Sequence, residues 1–316
     1  MRHSEPVRLR QVLPSGPTSL LHHPGSRGRQ IHLSFVAGPR GQQGGMTNEP
    51  ISAPPAAQRV RRDMLDEGRR LVDAARSEGI TLRLLGGLGV REHCRTLELC
   101  ERDYSDLDMV ALGRQARHLA ALFAGFGYVE NYEVSTATAN GTLQFVRPCE
   151  HDEGPGMGRA HTDDHIDVFL DTFRMDHDIA LAKRLQIEPY TVSLGDLLLT
   201  KLQIFKLNEK DLRDIVTLLG DFDVGEVDAP QVIDGNYIGK LCAGDWGLFY
   251  DVAMNLKRVE ERAATFGLSE AQVARVRHGV MRLIAAIDGA PKSARWRLRA
   301  RVGTRKNWHS ELDGQE

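Results

Sequence analysis

From Ala56 to about Gly79, Val60, Met64, Leu65, Leu71, Val72 and Ala75 recur at helical spacing opposite Arg and Asp. The pattern predicts an amphipathic helix stopped by Gly79 and packed on a sheet that begins at Leu82. Arg83, Leu84 and Leu85 lead that strand into Gly86-Gly87, where missing Cβ atoms permit a sharp turn and let N–H groups approach an anion at a helix start. A short helix and a loop follow, then a strand that opens at Asp106 and runs through Met109, Val110, Ala111 and Leu112. Gly113 to Gly125 predicts a second helix. Tyr128 to Thr136 and Leu143 to Arg147 predict a hairpin around Asn140-Gly141, a dipeptide that tolerates positive φ. His165 to Leu170 alternates, with Ile166, Val168 and Leu170 assigned to the core.

Beyond Ser193, which has Asp196 three residues on in a weak variant of the capping box, the pattern becomes helical. Helices are expected from Leu194 to Leu207 and, behind an Asn208 cap, from Glu209 to Leu219. From Asn236 to Gly289 apolar residues repeat every three or four positions, the mark of a helical bundle. In the last segment, Lys292 to His309, seven Lys and Arg stand without an acid. Arg295, Arg297, Arg299 and Arg301 alternate there with Trp296, Leu298, Ala300 and Val302. Read as an extended edge strand or arm, it would present a row of cations to a phosphate backbone, with Trp296 and Trp308 free to stack on bases. A basic tail folded onto an acidic body is the rival reading.

The 316 residues, 41% hydrophobic and 27% charged, are enough for two globular domains. The formal charge of −2 is unevenly spread: residues 1–45 carry six arginines against Glu5, so the remainder is acidic. Residues 1–55, rich in Pro, Gly, Ser, Arg and Gln without period, read as a disordered basic extension, with Met46 an alternative start and a nucleic-acid-binding arm the lesser reading. No apolar run reaches the roughly 18 residues of a membrane helix, and no signal-peptide core is present, so a cytoplasmic protein with no membrane partner is expected. Cys94, Cys100, Cys149 and Cys242 show no zinc-type spacing, and reduced, buried thiols are expected.

Chemistry concentrates on a few positions. Asp106 and Asp108 lie two apart on a strand, so both carboxylates point to one face, roughly 6.6 Å apart along the chain. Oxygen-only ligands of this kind suit Mg²⁺. His165 and Asp167 share a face on their own strand, which places His165 to contact a phosphate, orient Asp167, or serve as a structural histidine. Lys201 sits on or beside an apolar stripe, and either snorkels to solvent or reaches into a cleft as a compact cation. Asp211 and Asp214 are three apart on the next helix and share its face. The long polar loop 148–164 carries His151 and His161, which could reach a metal or phosphate but are more often solvated.

Gly86-Gly87, then Ser105-Asp106-Leu107-Asp108-Met109, then the carboxylate of His165-Ile166-Asp167-Val168-Phe169, resemble the signature of the polymerase-β-type nucleotidyltransferase superfamily. The gap from Gly87 to Asp106 is similar to that of bacterial abortive-infection and related toxin-type members. Lys201 followed by Asp211-Leu212-Arg213-Asp214 resembles their helical Lys and Asp-x-x-Asp. The resemblance covers roughly residues 80 to 220. It implies an α/β (α+β) nucleotidyltransferase core, a short mixed sheet with flanking helices over 56–190, to which the helical periodicity adds a helical domain over 191–290 and the run of cations a basic arm over 291–316. It further implies transfer of a nucleoside monophosphate from an NTP to an acceptor hydroxyl with two Mg²⁺ ions, Asp106, Asp108 and Asp167 being the catalytic metal ligands. Gly86, Gly87, Arg91, Arg102, Ser105 and Lys201 would surround the triphosphate, with His165, Asp211 and Asp214 in support. The acceptor implied is RNA, gripped through 292–309, with an antitoxin-like protein as a further partner. A small-molecule acceptor, as in antibiotic-modifying enzymes, and an inactive nucleotide- or RNA-binding module are the alternatives.

Overall fold

The computed structural model describes residues 56–137, 141–147 and 165–308. The disordered extension expected over 1–55, the loop 148–164 with Cys149, His151 and His161, Asn140 and the chain after Trp308 lie outside the described residues.

The fold is α+β, a mixed five-stranded sheet flanked by helices. Its strands are β1 (Leu82–Leu84), β2 (Asp106–Ala111), β3 (Val129–Glu130), β4 (Thr142–Val146) and β5 (His165–Leu170), in the order β1-β2-β5-β4-β3. β2 and β5 run parallel at the centre, and β1 and β4 pair antiparallel on either side. Alternation along β2 and β5 gives the sheet two unlike faces. On one, Leu107, Met109, Ala111, Ile166 and Val168 join Leu71, Val72 and Ala75 of α1 (Ala56–Ser77) and Leu119, Leu122 and Phe123 of α4 (Ala116–Gly125). Each large side chain buried there is worth about 1.5–3 kcal/mol. The other face carries Asp106, Asp108 and Val110 beside His165, Asp167 and Phe169.

The helices α2 (Gly86–His93), α3 (Leu97–Cys100), α6 (Leu194–Leu202) and α7 (Glu209–Asp221) belong to this second face. Leu85, Val110 and Leu112 continue there into one apolar cluster with α8 (Gly235–Gly244), α9 (Trp246–Arg262), α10 (Glu270–Gly289) and α11 (Ala294–Val302). Two small sheets, β6 (Thr172–Arg174) with β7 (Asp178–Ala180) and β8 (Asp223–Gly225) with β9 (Val232–Asp234), lie outside the main sheet.

Several expectations are corrected. Most of the first hairpin strand is instead helix α5 (Tyr132–Ala137): the Asn131 carbonyl accepts from the Ser135 N–H and its side chain meets Val134 N–H, turning the chain after two residues of strand. Helix α6 ends at Leu202 rather than Leu207, because Asn255 Nδ2 donates to the carbonyls of Leu202 (2.9 Å) and Ile204 (2.7 Å). The arginine-alternating segment is helix α11, not a strand. Ser293 caps it through the Trp296 N–H, and Trp296 is buried. Trp308, half-buried, packs against Phe205, Trp246 and Tyr250 and donates to Asp251, so both tryptophans are engaged in the fold and neither is held out on an arm. Cys94 and Cys100 form a disulfide where reduced thiols were expected, while Cys242 is a buried free thiol.

Candidate active site

The site begins with register. Parallel pairing sets Asp106 against His165 and Asp108 against Asp167, so three carboxylates from two adjacent strands meet on the face turned toward α2 and α6. β1 delivers the glycines: Leu85 N–H donates to the Asp108 carbonyl at 2.9 Å, and the chain then turns at Gly86, φ +61°, into α2. A Cβ on Gly86 would overlap the Asp108 carboxylate and come within 2.8 Å of its Cγ, so the turn lies directly against that side chain. On Gly87 a Cβ would meet Arg102 Nη2 at 2.5 Å. No side chain caps α2, which leaves the N–H groups of its first turn to an anion.

Behind the glycines stand the cations. Lys201 Nζ lies 2.6 Å from Asp211 Oδ1 and 3.2 Å from Asp214 Oδ2, and Arg102 lies 2.9 Å from the Asp214 carboxylate. Lys201 therefore does not snorkel; its side chain is 13% exposed and held by two carboxylates. Burial opposes its charge, but Asp214, Asp211 and Asp108 outweigh burial and raise its pKa above the ordinary lysine value. Burial raises the Asp214 pKa, against the pull of Lys201 and Arg102. Tyr104, which sequence reasoning passed over, lies beneath the Arg102 guanidinium, 4.9 Å from ring centroid to Cζ.

Burial and then the charge of Asp106 push Asp108 up to about 7, with Asp167 adding to the shift and Lys201 and His165 opposing it. A carboxylate penalised in this way gains most from a nearby cation. Asp167 has both oxygens engaged, Oδ1 accepting from Gln144 Nε2 at 3.0 Å and Oδ2 lying 3.3 Å from His165 Nε2. Gln144 was also missed, because only the pairing of β4 with β5 sets it opposite Asp167. Ser105 is exposed and donates to Asp106 Oδ1 at a long 3.4 Å. Arg91, half-buried on α2, is near enough to Tyr104 for its charge to be felt there. Of the expected residues, the structure thus brings Gly86, Gly87, Asp106, Asp108, His165, Asp167, Lys201, Asp211, Asp214 and Arg102 into one constellation. Ser105 and Arg91 stand at its margin.

No family model matches the chain, and no curated protein does. Among the described residues no group of three or more His, Cys, Asp or Glu is placed to hold a metal ion as the side chains stand. The donor set nevertheless suits a hard divalent cation, since carboxylates from two paired strands share one face and one of them, Asp108, is pushed up to about 7 by burial and then by the charge of Asp106. None of the helices in the described residues is long and apolar enough to cross a membrane.

Proposed function

We propose that the chain is a Mg²⁺-dependent nucleotidyltransferase that moves a nucleoside monophosphate from an NTP to an acceptor hydroxyl, the bond between the α- and β-phosphates breaking to release pyrophosphate. The observation that carries this reading is the in-register pair Asp108 and Asp167, with Asp106 beside them, pressed against a positive-φ glycine that opens an uncapped helix. Asp106 and Asp108 would hold Mg²⁺, and Asp167 would share the ion on the acceptor side. When bound, the metal supplies charge stabilisation to the transferring phosphoryl group. The N–H groups at Gly86 and Gly87 bind phosphate oxygens, and Lys201 and Arg102, oriented by Asp211 and Asp214, give that corner its positive charge. Asp167 accepts the proton of the attacking hydroxyl.

The acceptor we favour is RNA. Arg295, Arg297, Arg301, Arg305 and Lys306 are exposed along and just after α11, and no acid intervenes between Lys292 and Trp308. Cation density supports this choice; base stacking no longer does.

Labelled NTPs, Mg²⁺ and total RNA test the activity. Asp106→Ala, at an exposed position, should abolish transfer without lowering the unfolding midpoint, and failure of the wild-type chain to label any RNA or small hydroxylated acceptor sinks the reading. Because Trp296 and Trp308 are packed, the acceptor is tested by substitution and not by truncation. Arg295, Arg297, Arg301 and Arg305 changed together to Gln should flatten the salt dependence of RNA binding, whose slope is roughly −0.7 per single-strand phosphate contact. An unchanged slope would move the acceptor to a small molecule.

A further inference from the structure

We infer that Gln144, itself aimed by Asn131, is the positioning residue that fixes the Asp167 carboxylate for catalysis. This rests on the nucleotidyltransferase reading and extends it to two residues outside the sequence signature.

Gln144 is the antiparallel partner of Asp167, so the two side chains leave the sheet on the same face at the close spacing of opposed strand residues. Its Nε2 donates to Asp167 Oδ1 at 3.0 Å. An amide can present either end, and a carboxylate accepts only from the NH₂ end. What selects that end is Asn131, whose Nδ2 donates to Gln144 Oε1 at 2.9 Å. Asn131 is oriented in turn by α5, because its Oδ1 faces the Val134 N–H at 3.5 Å and leaves Nδ2 for Gln144.

The backbone of Gln144 is held as well: its carbonyl accepts from Asn131 N–H at 2.8 Å and its N–H donates to Ser135 Oγ at 3.1 Å. The order of dependence is α5, Asn131, Gln144, Asp167. A neutral donor suits the task. It holds one oxygen and fixes the rotation of the carboxylate while leaving its charge for a cation, whereas Lys or Arg there would neutralise it. Partners that orient metal-binding carboxylates typically change metal affinity or activity by 10–100-fold when removed.

The experiment uses the full chain and two readouts: Mn²⁺ binding by electron paramagnetic resonance with a non-hydrolysable NTP analogue, and kcat and KM for transfer. Gln144→Leu should lower kcat and Mn²⁺ affinity by tenfold or more and leave the NTP KM unchanged. Asn131→Asp keeps the oxygen that meets Val134 N–H but loses the donor to Gln144, and should reproduce the defect; combined with Gln144→Leu it should add nothing. Gln144→Met, unbranched and of matching length, replaces the leucine variant if that one fails to fold. Wild-type kcat and Mn²⁺ affinity in the Gln144 variant, or full additivity of the two substitutions, would overturn the inference. If the wild-type chain transfers to no acceptor, the proposed function fails and the Mn²⁺ arm alone decides: tenfold weakening sustains the positioning role, and equality ends it. A wild-type chain that binds no Mn²⁺ ends both.

Discussion

Replacing Gly86 by alanine combines two costs that the molecule allows to be separated. The first is backbone strain: at φ +61° an L-residue is disfavoured by about 1–2 kcal/mol. The second is overlap, since the new Cβ would fall on the Asp108 carboxylate, 2.8 Å from its Cγ, and Asp108 must rotate or the turn must open. Forcing extra atoms into a filled site costs about 1–3 kcal/mol more. Gly79 isolates the first cost. Its φ of +72° is as left-handed, yet a Cβ there meets nothing within 4 Å. Urea unfolding should therefore place Gly79→Ala about 1–2 kcal/mol below wild type and Gly86→Ala about 2–5 kcal/mol below. Adding Asp108→Ala to Gly86→Ala should return the overlap portion, a coupling of about 1–3 kcal/mol. Transfer should be lost in Gly86→Ala and kept in Gly79→Ala. Equal costs for the two glycines, with transfer retained in both, would refute the claim that the turn is built against Asp108.

Two further predictions concern the charges. The Asp108 pKa is raised to about 7 from an unfolded value near 3.9, so the native state holds a proton that the unfolded state has released. Stability should consequently fall as pH rises from about 4 through about 7 in the absence of divalent cation; Asp106→Asn, which removes the second-largest cause, should flatten that fall in urea titrations across the window, and an unchanged slope would contradict the coupling. Lys201→Met leaves Asp214, 4% exposed, with Arg102 as its remaining cation and should cost about 3 kcal/mol at pH 8. A loss below about 1 kcal/mol would mean the pair is effectively solvated.

The carboxylates were legible because a strand has a strict period of two: Asp106 and Asp108, or His165 and Asp167, could only share a face. Which strand would neighbour which was not legible, since the parallel register of Asp108 with Asp167 is imposed by packing over distant sequence. Gln144 escaped for the same reason, its role existing only once β4 and β5 are side by side. At the C-terminus the alternation of Arg with Trp, Leu and Ala read as a strand. The four-residue spacing of Trp296 and Ala300 equally allowed a helix, and a Ser293 cap with a core site for Trp296 decided it. The Cys94–Cys100 pair matched no familiar spacing and became visible only when α2 and α3 placed its ends together.

All three tryptophans of the chain, Trp246, Trp296 and Trp308, lie in or against the same apolar cluster, with Trp246 and Trp308 in edge contact at 5.6 Å. The cluster on the opposite face of the sheet is instead marked by Phe123, Tyr128 and Phe145. The protein thus carries a built-in optical division of labour: indole emission observes the packing of the C-terminal helices, while phenol and far-ultraviolet signals also register the layer beneath the carboxylates. Whether the two sides of the sheet melt together can be read without any label, by asking whether indole fluorescence and circular dichroism share one midpoint.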